Sequence, residues 1–471
     1  MDLSDSVISD DYFFIFGFSA LLSRELIDEN FYIVDVETTS YAQVTDSVCQ
    51  GRKIFAFISN DVDYYALQHL ENVTLIDRRS PVKEVLSCLL VNNSRFNYHV
   101  KYKLSARENE VLTCMQQGLD TQQIGWASEA GGTAGGGEKP ELSYYVTNIG
   151  ELRQAIEESG DRPKRIWIGG LIDASGGVPY LNRQDQSRRG RIFIGSNTTL
   201  MGIDENARFV ESALIIQDVS NVIIHNIYIE NPVDVDPQFE EGDGWNAEWD
   251  GLSIIRAQHV WVSNVTFSDG RFTMDMYKTV DGWKYVQHDG SLDIKRASDY
   301  VTVSHCVFTL HDKTILIGHS DNNDEEDAGK LRVTFHDNLF TRVVQRTPRV
   351  RFGNVHLFNN VFDNDVADPI YKYQYSFGIG KDSRTLSELN VFNVKGQTVA
   401  CRLFKGFGGE YLSDSGSVFN DTTADLNACG FNTTSVVRPP YDYFPQWDLT
   451  PEFVDAVRRS AGNMLDYRVM V

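Results

Sequence analysis

VTFHDNLF at residues 333–340 and VHLFNNVF at residues 355–362 are one eight-residue pattern written twice, 22 positions apart. The first and third positions are apolar, the fifth is a hydrogen-bonding polar residue and the eighth is phenylalanine. Three earlier segments fit the same frame: VIIHNIYI from Val222, VWVSNVTF from Val260 and VTVSHCVF from Val301. The fifth position is then Asn226, Asn264, His305, Asp337 and Asn359, and the eighth is Ile229, Phe267, Phe308, Phe340 and Phe362. A strand, a polar corner and a second strand recurring at such a period mark a β-solenoid, whose coils bury a continuous core only by stacking. The longer intervals of 38, 41 and 32 residues between the earlier starts are the same coil with loops inserted. This frame predicts that the polar corners hydrogen-bond to one another up the stack, with the eighth-position side chains piled inside. A β-sandwich also yields short strands, but it gives no reason for a fixed polar corner. Insertions at the same edge of successive coils build one binding face.

The solenoid texture begins near residue 125, and what precedes it differs. Residues 1–124 alternate apolar runs (YFFIFGF, FYIVDVE, KIFAFIS, VTLID) with polar, helix-capable segments, the rhythm of a small α/β unit. They close on KLSARENEVLTCMQQGLDTQQIG, where Ser105 and Glu108 form a capping box. Val111, Leu112 and Met115 follow at helical spacing. This half resembles a LuxR-type transcriptional regulator: a degenerate receiver-like domain leading into the first helix of a helix-turn-helix. A second, recognition helix is what such a module places in the major groove. Here the chain runs instead into GWASEAGGTAGGGEKPEL, too rich in glycine for a recognition helix. The resemblance is thus to a regulator truncated within its helix-turn-helix, and a DNA-binding role is carried only as an alternative. Two helical patterns stand out in residues 125–471, IGELRQAIEESG and TPEFVDAVRRSAG.

A formal net charge of -23 sets the whole-molecule field against nucleic acid and anionic membranes. A polyanionic substrate would need a local basic patch or a bridging cation. No apolar run reaches membrane-spanning length, and the acidic N-terminus MDLSDSVISDDY lacks the basic start of an export signal. Six cysteines are too few for a disulfide scaffold, although Cys401 and Cys429 share a loop-rich stretch and either pair or stay reduced.

The inserted loops carry the chemistry. NAEWDGLSI brings Glu248 and Asp250 before one coil, and QHDGSLDIK brings Asp289 and Asp293 before the next. Alternation puts each pair on one face of its strand, and if the coils are in register the two pairs stack about 4.8 Å apart. Four carboxylates at that spacing need a cation, and hard oxygen ligands without His or Cys favour calcium. LHDKTILIG supplies Lys313, and QRTPRVRFG supplies Arg346, Arg349 and Arg351. Pro348 cannot sit in a regular central strand, so the chain bends between Arg346 and Arg351.

Residues 125–471 are identified as resembling polysaccharide lyase family 1, the pectate lyases. The matching stretches are GWASEAGGTAGG with YYVTNIGELRQAI, QHDGSLDIKRASDYVTVSH, HDKTILIG and RTPRVRFGNVHLFNNVF. The resemblance implies an all-β right-handed parallel β-helix, preceded here by the small α/β receiver-like domain. It implies a secreted enzyme that cleaves α-1,4-polygalacturonate by β-elimination with calcium, working as a monomer with no membrane or nucleic-acid partner. It gives Arg346 the role of catalytic base, gives Lys313 and Arg351 the substrate carboxylates, and makes Asp250, Asp289 and Asp293 calcium ligands. Glu248 stands where well-studied relatives have Asp, and Arg349 receives no role. Lowering of the Arg346 pKa by Lys313, Arg351 and calcium, with an alkaline rate optimum, is the corresponding expectation. A catalytically inactive β-helix that only binds polygalacturonate is the other alternative.

Overall fold

The computed structural model describes residues 124–137, 140–434, 438–443 and 445–465, together with residues 7–9, 11, 14, 18, 31–36, 53–59, 63–64, 67, 72–91 and 97–99. The chain divides into two compact units, Met1–Thr121 and Gln122–Val471. In the first, strands Val7–Ile8, Phe31–Asp35, Lys53–Ile58 and Val73–Asp77 form a parallel sheet in that spatial order, and helix Val82–Val91 follows the last. Its apolar strand residues, such as Ile33, Phe55 and Phe57, are buried. This is an α/β unit. The proposed helix-turn-helix, Lys103 to Gln123, lies outside the described residues.

The second unit is a parallel β-helix. Among the described residues, three sheets of ten, eight and ten strands run the length of the stack. All pairings within them are parallel except that of Val418–Phe419 with Thr422–Thr423. The coils carrying the charged motifs supply β1 (Leu252–Ile255), β2 (Leu292–Lys295), β3 (Val307–Lys313), β4 (Ile315–Ile317), β5 (Leu339–Gln345) and β6 (Arg349–Val350). Strands β1, β2, β4 and β6 are successive neighbours in the eight-stranded sheet, and β3 and β5 are neighbours in a ten-stranded one.

The repeat frame is present, with one change of register. Eighth-position residues pair directly across coils, Phe267 with Phe308, Phe308 with Phe340 and Phe340 with Phe362. Their rings stack at centroid separations of 4.9, 5.0 and 4.7 Å, and Phe392 extends the pile at 4.6 Å from Phe362. The strand spacing of a parallel sheet imposes this separation on any identical column of rings. The polar ladder is not made by the fifth position. Asn226, Asn264, His305, Asp337 and Asn359 all have left-handed backbones, with φ between 51° and 57°. That conformation turns the corner and leaves the next residue facing inward. The ladder therefore runs one residue later, from Asn338 to Asn360 and from Asn360 to Asn390, each at 2.9 Å. The fifth-position amides are used elsewhere: Asn226, Asn264 and Asn359 donate to the carbonyls of Leu465, Ser460 and Gln446, fastening the C-terminal segment along the corner.

Both expected helices form, Ile149–Ser159 capped by Asn148 and Pro451–Ser460 capped by Thr450. The glycine-rich lead-in lies along a ten-stranded sheet, where Trp126 and Ala127 donate to the Thr334 and Thr302 hydroxyls. A Cβ on Gly136 would stand 2.2 Å from the Lys164 carbonyl, so glycine is required for that approach. A disulfide joins Cys401 and Cys429.

Candidate active site

The acids converge, although the two pairs are not level. Leu252 of β1 lies opposite Leu292 of β2, which sets Asp250 beside Gly290, between Asp289 and Asp293, rather than on top of either. The Gly290 N–H donates to Asp250 Oδ1 at 3.1 Å. A Cβ on Gly290 would stand 2.6 Å from Asp293 Oδ1 and 2.9 Å from Asp250 Oδ1. The carboxylates therefore close over a residue that has no side chain.

Lys295 completes this arrangement. Its ammonium lies 3.1 Å from Asp250 Oδ2 and 3.0 Å from Asp293 Oδ2. Two residues past Asp293 on β2, it shares that residue's face. That was its legible signal, yet sequence reasoning assigned it no role. Burial, then Asp250, push Asp293 up to about 7 against the pull of Lys295. Burial and Asp250 also raise Asp289, with Lys313, Lys295 and Arg346 opposing. Burial by itself would lower Lys295, but Asp250 and Asp293 outweigh it and hold the ammonium above the ordinary lysine range. Asp250, Asp289 and Asp293 face the ammoniums of Lys295 and Lys313, and the raised carboxyls of Asp289 and Asp293 show that the site still favours further positive charge.

Glu248 is engaged elsewhere. Its carboxylate is 2.7 Å from Arg183, and its side chain is 56% exposed. Arg183 opens a short helix, Arg183–Gly190, whose RQDQSRRG sequence has no apolar period to announce it. Among the described residues, the group of three His, Cys, Asp or Glu whose ligand atoms all lie within 4.8 Å is His305, His336 and Asp337, at a coil corner. The acids over Gly290 are spread wider than that, with the Lys295 ammonium between two of them.

The cations face this cluster from the next coils. Lys313, at the end of β3, donates to Asn246 Oδ1 and lies 3.3 Å from Asp289 Oδ1. Its cross-strand neighbour on β5 is Gln345, so Arg346 follows directly. The bend expected at Pro348 is there: Arg346 has φ 62° and the Thr347–Pro348 peptide is cis. The Arg346 carbonyl accepts from Ile315 N–H at 2.7 Å, while its Nε is buried without a hydrogen-bond partner. Burial raises the Tyr375 hydroxyl, and Arg346 followed by Arg349 opposes it, which sets Tyr375 beside the arginines. Arg351 Nε lies 2.5 Å from Asp321, and its Nη1 donates to the Gly318 carbonyl at 2.9 Å. Arg349 stacks its guanidinium 4.1 Å from the Phe407 ring centroid. Burial, then Arg351 and Arg346, hold it below the ordinary arginine range.

One buried support opens the HDKTILIG stretch, whose spacing gives no sign of what it holds. His311 Nδ1 pairs with Asp269 Oδ1 at 2.5 Å, and its Nε2 donates to the Asp289 carbonyl at 2.7 Å. Tyr371 OH and Asn231 complete the Asp269 shell at 2.9 and 3.0 Å. This frame anchors the backbone that carries Asp289.

The second unit is thus a parallel β-helix that carries acids on two successive coils and cations on the next two. The family is given by comparison: the sequence model described as "Pectate lyase" matches residues 100–463, and the chain belongs to that family. It is 51% identical over 351 residues to pectate lyase E of Dickeya chrysanthemi, covering 73% of this chain and 87% of the relative. It is 32% identical to a pectate lyase of Bacillus subtilis strain 168 over 363 residues, 67% of this chain and 86% of the other. A solved pectate lyase bound to a hexasaccharide superposes with a TM-score of 0.67 at 30% identity, covering 73% of this chain and 97% of that one.

Proposed function

We propose that this chain is a calcium-dependent pectate lyase, cleaving α-1,4-polygalacturonate by β-elimination to unsaturated oligogalacturonates. The observation that carries this reading is the meeting of the buried carboxylates over Gly290 with Lys313 and Arg346 on adjacent coils. Oxygen donors converging above a glycine suit calcium, whose flexible sphere accepts carboxylates at varied spacing. Asp250, Asp289 and Asp293 would hold it, and Glu248 would join only by leaving Arg183. Bound calcium would neutralise the cluster and polarise a substrate carboxylate.

The chain's own residues supply the remaining chemistry. The reaction removes the proton on C5, beside a sugar carboxylate that is already anionic, and expels the C4 oxygen. Negative charge grows on that carboxylate, where the Lys313 ammonium and the Arg351 guanidinium are assigned to hold it. Preorganised cations at the place where charge develops are the largest source of rate in such a step. Arg346 is assigned the C5 proton. Its buried, unpartnered Nε and its place among Lys313, Arg349 and Arg351 support that role. Ultraviolet-absorbing product should form from polygalacturonate with calcium and not in excess chelator; product formed equally well with chelator would refute the calcium assignment.

The Cys401–Cys429 disulfide supports an oxidising, extracellular workplace, and no described helix is long and apolar enough to cross a membrane. For the N-terminal unit we keep the receiver-like reading. Its strand order is what remains of the receiver order 2-1-3-4-5 when edge strand 2 is left out. At the carboxyl ends of its strands, Arg78 bonds both Asp35 oxygens at 3.0 Å and Asp11 at 2.9 Å.

A further inference from the structure

Two loops leave the coil just before the acidic strands, and each folds into a β-hairpin. Gln238–Glu240 pairs with Gly244–Asn246, and Thr279–Val280 pairs with Trp283–Lys284. The hairpins are joined, since Trp245 forms a bridge with Tyr285. Their rings make a continuous row: Trp283 to Phe239 at 5.9 Å, Phe239 to Trp245 at 5.4 Å and Trp245 to Tyr285 at 5.0 Å. Gly244 makes room for this, because a Cβ there would stand 2.6 Å from the Trp283 ring. Despite that packing, Phe239 is 46% exposed and Trp283 43%. A row of aromatics on paired strands with two of its rings this exposed is costly in water and marks a binding surface.

This surface is continuous with the active site. Asn246, the last residue of the first hairpin, accepts from the Lys313 ammonium. Trp283 lies six positions before Asp289, at most about 20 Å of extended chain. A cation accompanies the rings, with Lys278 4.4 Å from the centre of Tyr285; Lys284, next to Trp283 in sequence, points to the other face and lies 5.4 Å from the centre of Tyr277. The turn of the first hairpin carries exposed Glu240, Glu241 and Asp243, and that of the second carries exposed Asp281, which repel a polyanion from both tips and leave the flank that bears Lys278.

We propose that the hairpin pair is a sugar-stacking subsite that holds a polygalacturonate chain several residues from the bond being cleaved. A pyranose ring offers a face of C–H groups to an aromatic ring, and a galacturonate residue adds a carboxylate within reach of a lysine. Phe239 and Trp283 take the face, and Lys278, on the same side of its hairpin as Trp283, takes the charge. An uncharged polymer would meet the rings without the lysine. The identity of the polymer rests on the lyase reading; the existence of the subsite does not.

The test uses the full chain and its variants Phe239→Ala, Trp283→Ala and Trp283→Tyr. Intrinsic tryptophan fluorescence is titrated with polygalacturonate, trigalacturonate and fully methyl-esterified pectin, and KM is measured on the first two. The ratio of KM for polymer to KM for trimer should rise about tenfold in each Ala variant, equivalent to about 1.4 kcal/mol. Trp283→Tyr should restore most of it, and polygalacturonate should perturb the fluorescence far more than the esterified polymer does. Wild-type KM ratios in both Ala variants, or equal responses to charged and esterified polymer, would overturn the proposal. If Trp283→Ala loses its fold, Phe239→Ala decides. A wild-type chain that gives no unsaturated product yet shows the charge-selective fluorescence response would refute the lyase reading and retain the subsite.

Discussion

Replacing Gly290 by Ala adds one methyl group at the floor of the acidic cluster. Gly290 does not use a left-handed backbone, so the change tests space alone. The new carbon would lie 2.6 Å from Asp293 Oδ1 and 2.9 Å from Asp250 Oδ1, and both oxygens must retreat by about 0.5–1 Å to reach ordinary contact. Calcium–oxygen bonds span only about 2.3–2.6 Å, so a retreat of that size breaks the ligand geometry. Misplacement by about 1 Å can cost on the order of 10²-fold in such a site. The calcium concentration giving half-maximal product release should therefore rise by about 10–100-fold, with much of the rate recovered at saturating calcium. Overpacking should lower calcium-free stability by about 1–3 kcal/mol, read by urea unfolding. Unchanged calcium dependence in a folded Gly290→Ala protein would show that these carboxylates do not hold the ion.

Three further outcomes are expected. Phe308→Ala cuts the ring pile between Phe267 and Phe340 and should destabilise the β-helix by about 3–5 kcal/mol in urea unfolding. Asp269→Asn leaves buried His311 without its carboxylate and should cost about 3–5 kcal/mol, with a loss of lyase rate because His311 also holds the Asp289 carbonyl. Burial lowers His225 to about 4, whereas the unfolded chain takes up that proton near 6.5. The unfolded state thus binds more protons between those values, so stability should decrease by roughly 3 kcal/mol as pH is lowered from about 6.5 to about 4; His225→Gln should flatten that part of the pH–stability curve.

The β-helix was legible because its coils repeat chemistry as well as period. Phenylalanine at the eighth position of four of the five segments marks a stacked column, and those rings do stack. The polar corner was legible as a corner but was assigned the wrong task. Periodicity does not reveal that a left-handed residue rotates the chain, so the inward ladder falls on Asn338, Asn360 and Asn390 instead. The acidic pairs were read as level because each obeys strand alternation; their true offset depends on the Leu252–Leu292 register, which alternation cannot supply. The His311–Asp269 and Glu248–Arg183 pairs were illegible for a simpler reason: they join residues 42 and 65 positions apart, a proximity that no local spacing encodes.

The most direct measurement is product release from polygalacturonate by the full chain, followed by ultraviolet absorbance with calcium and with excess chelator, beside Arg346→Lys. Calcium-dependent unsaturated product from the wild type, and its near-complete loss in a folded Arg346→Lys protein, is the expected result. Undiminished release by Arg346→Lys, or wild-type release that ignores the chelator, would contradict it.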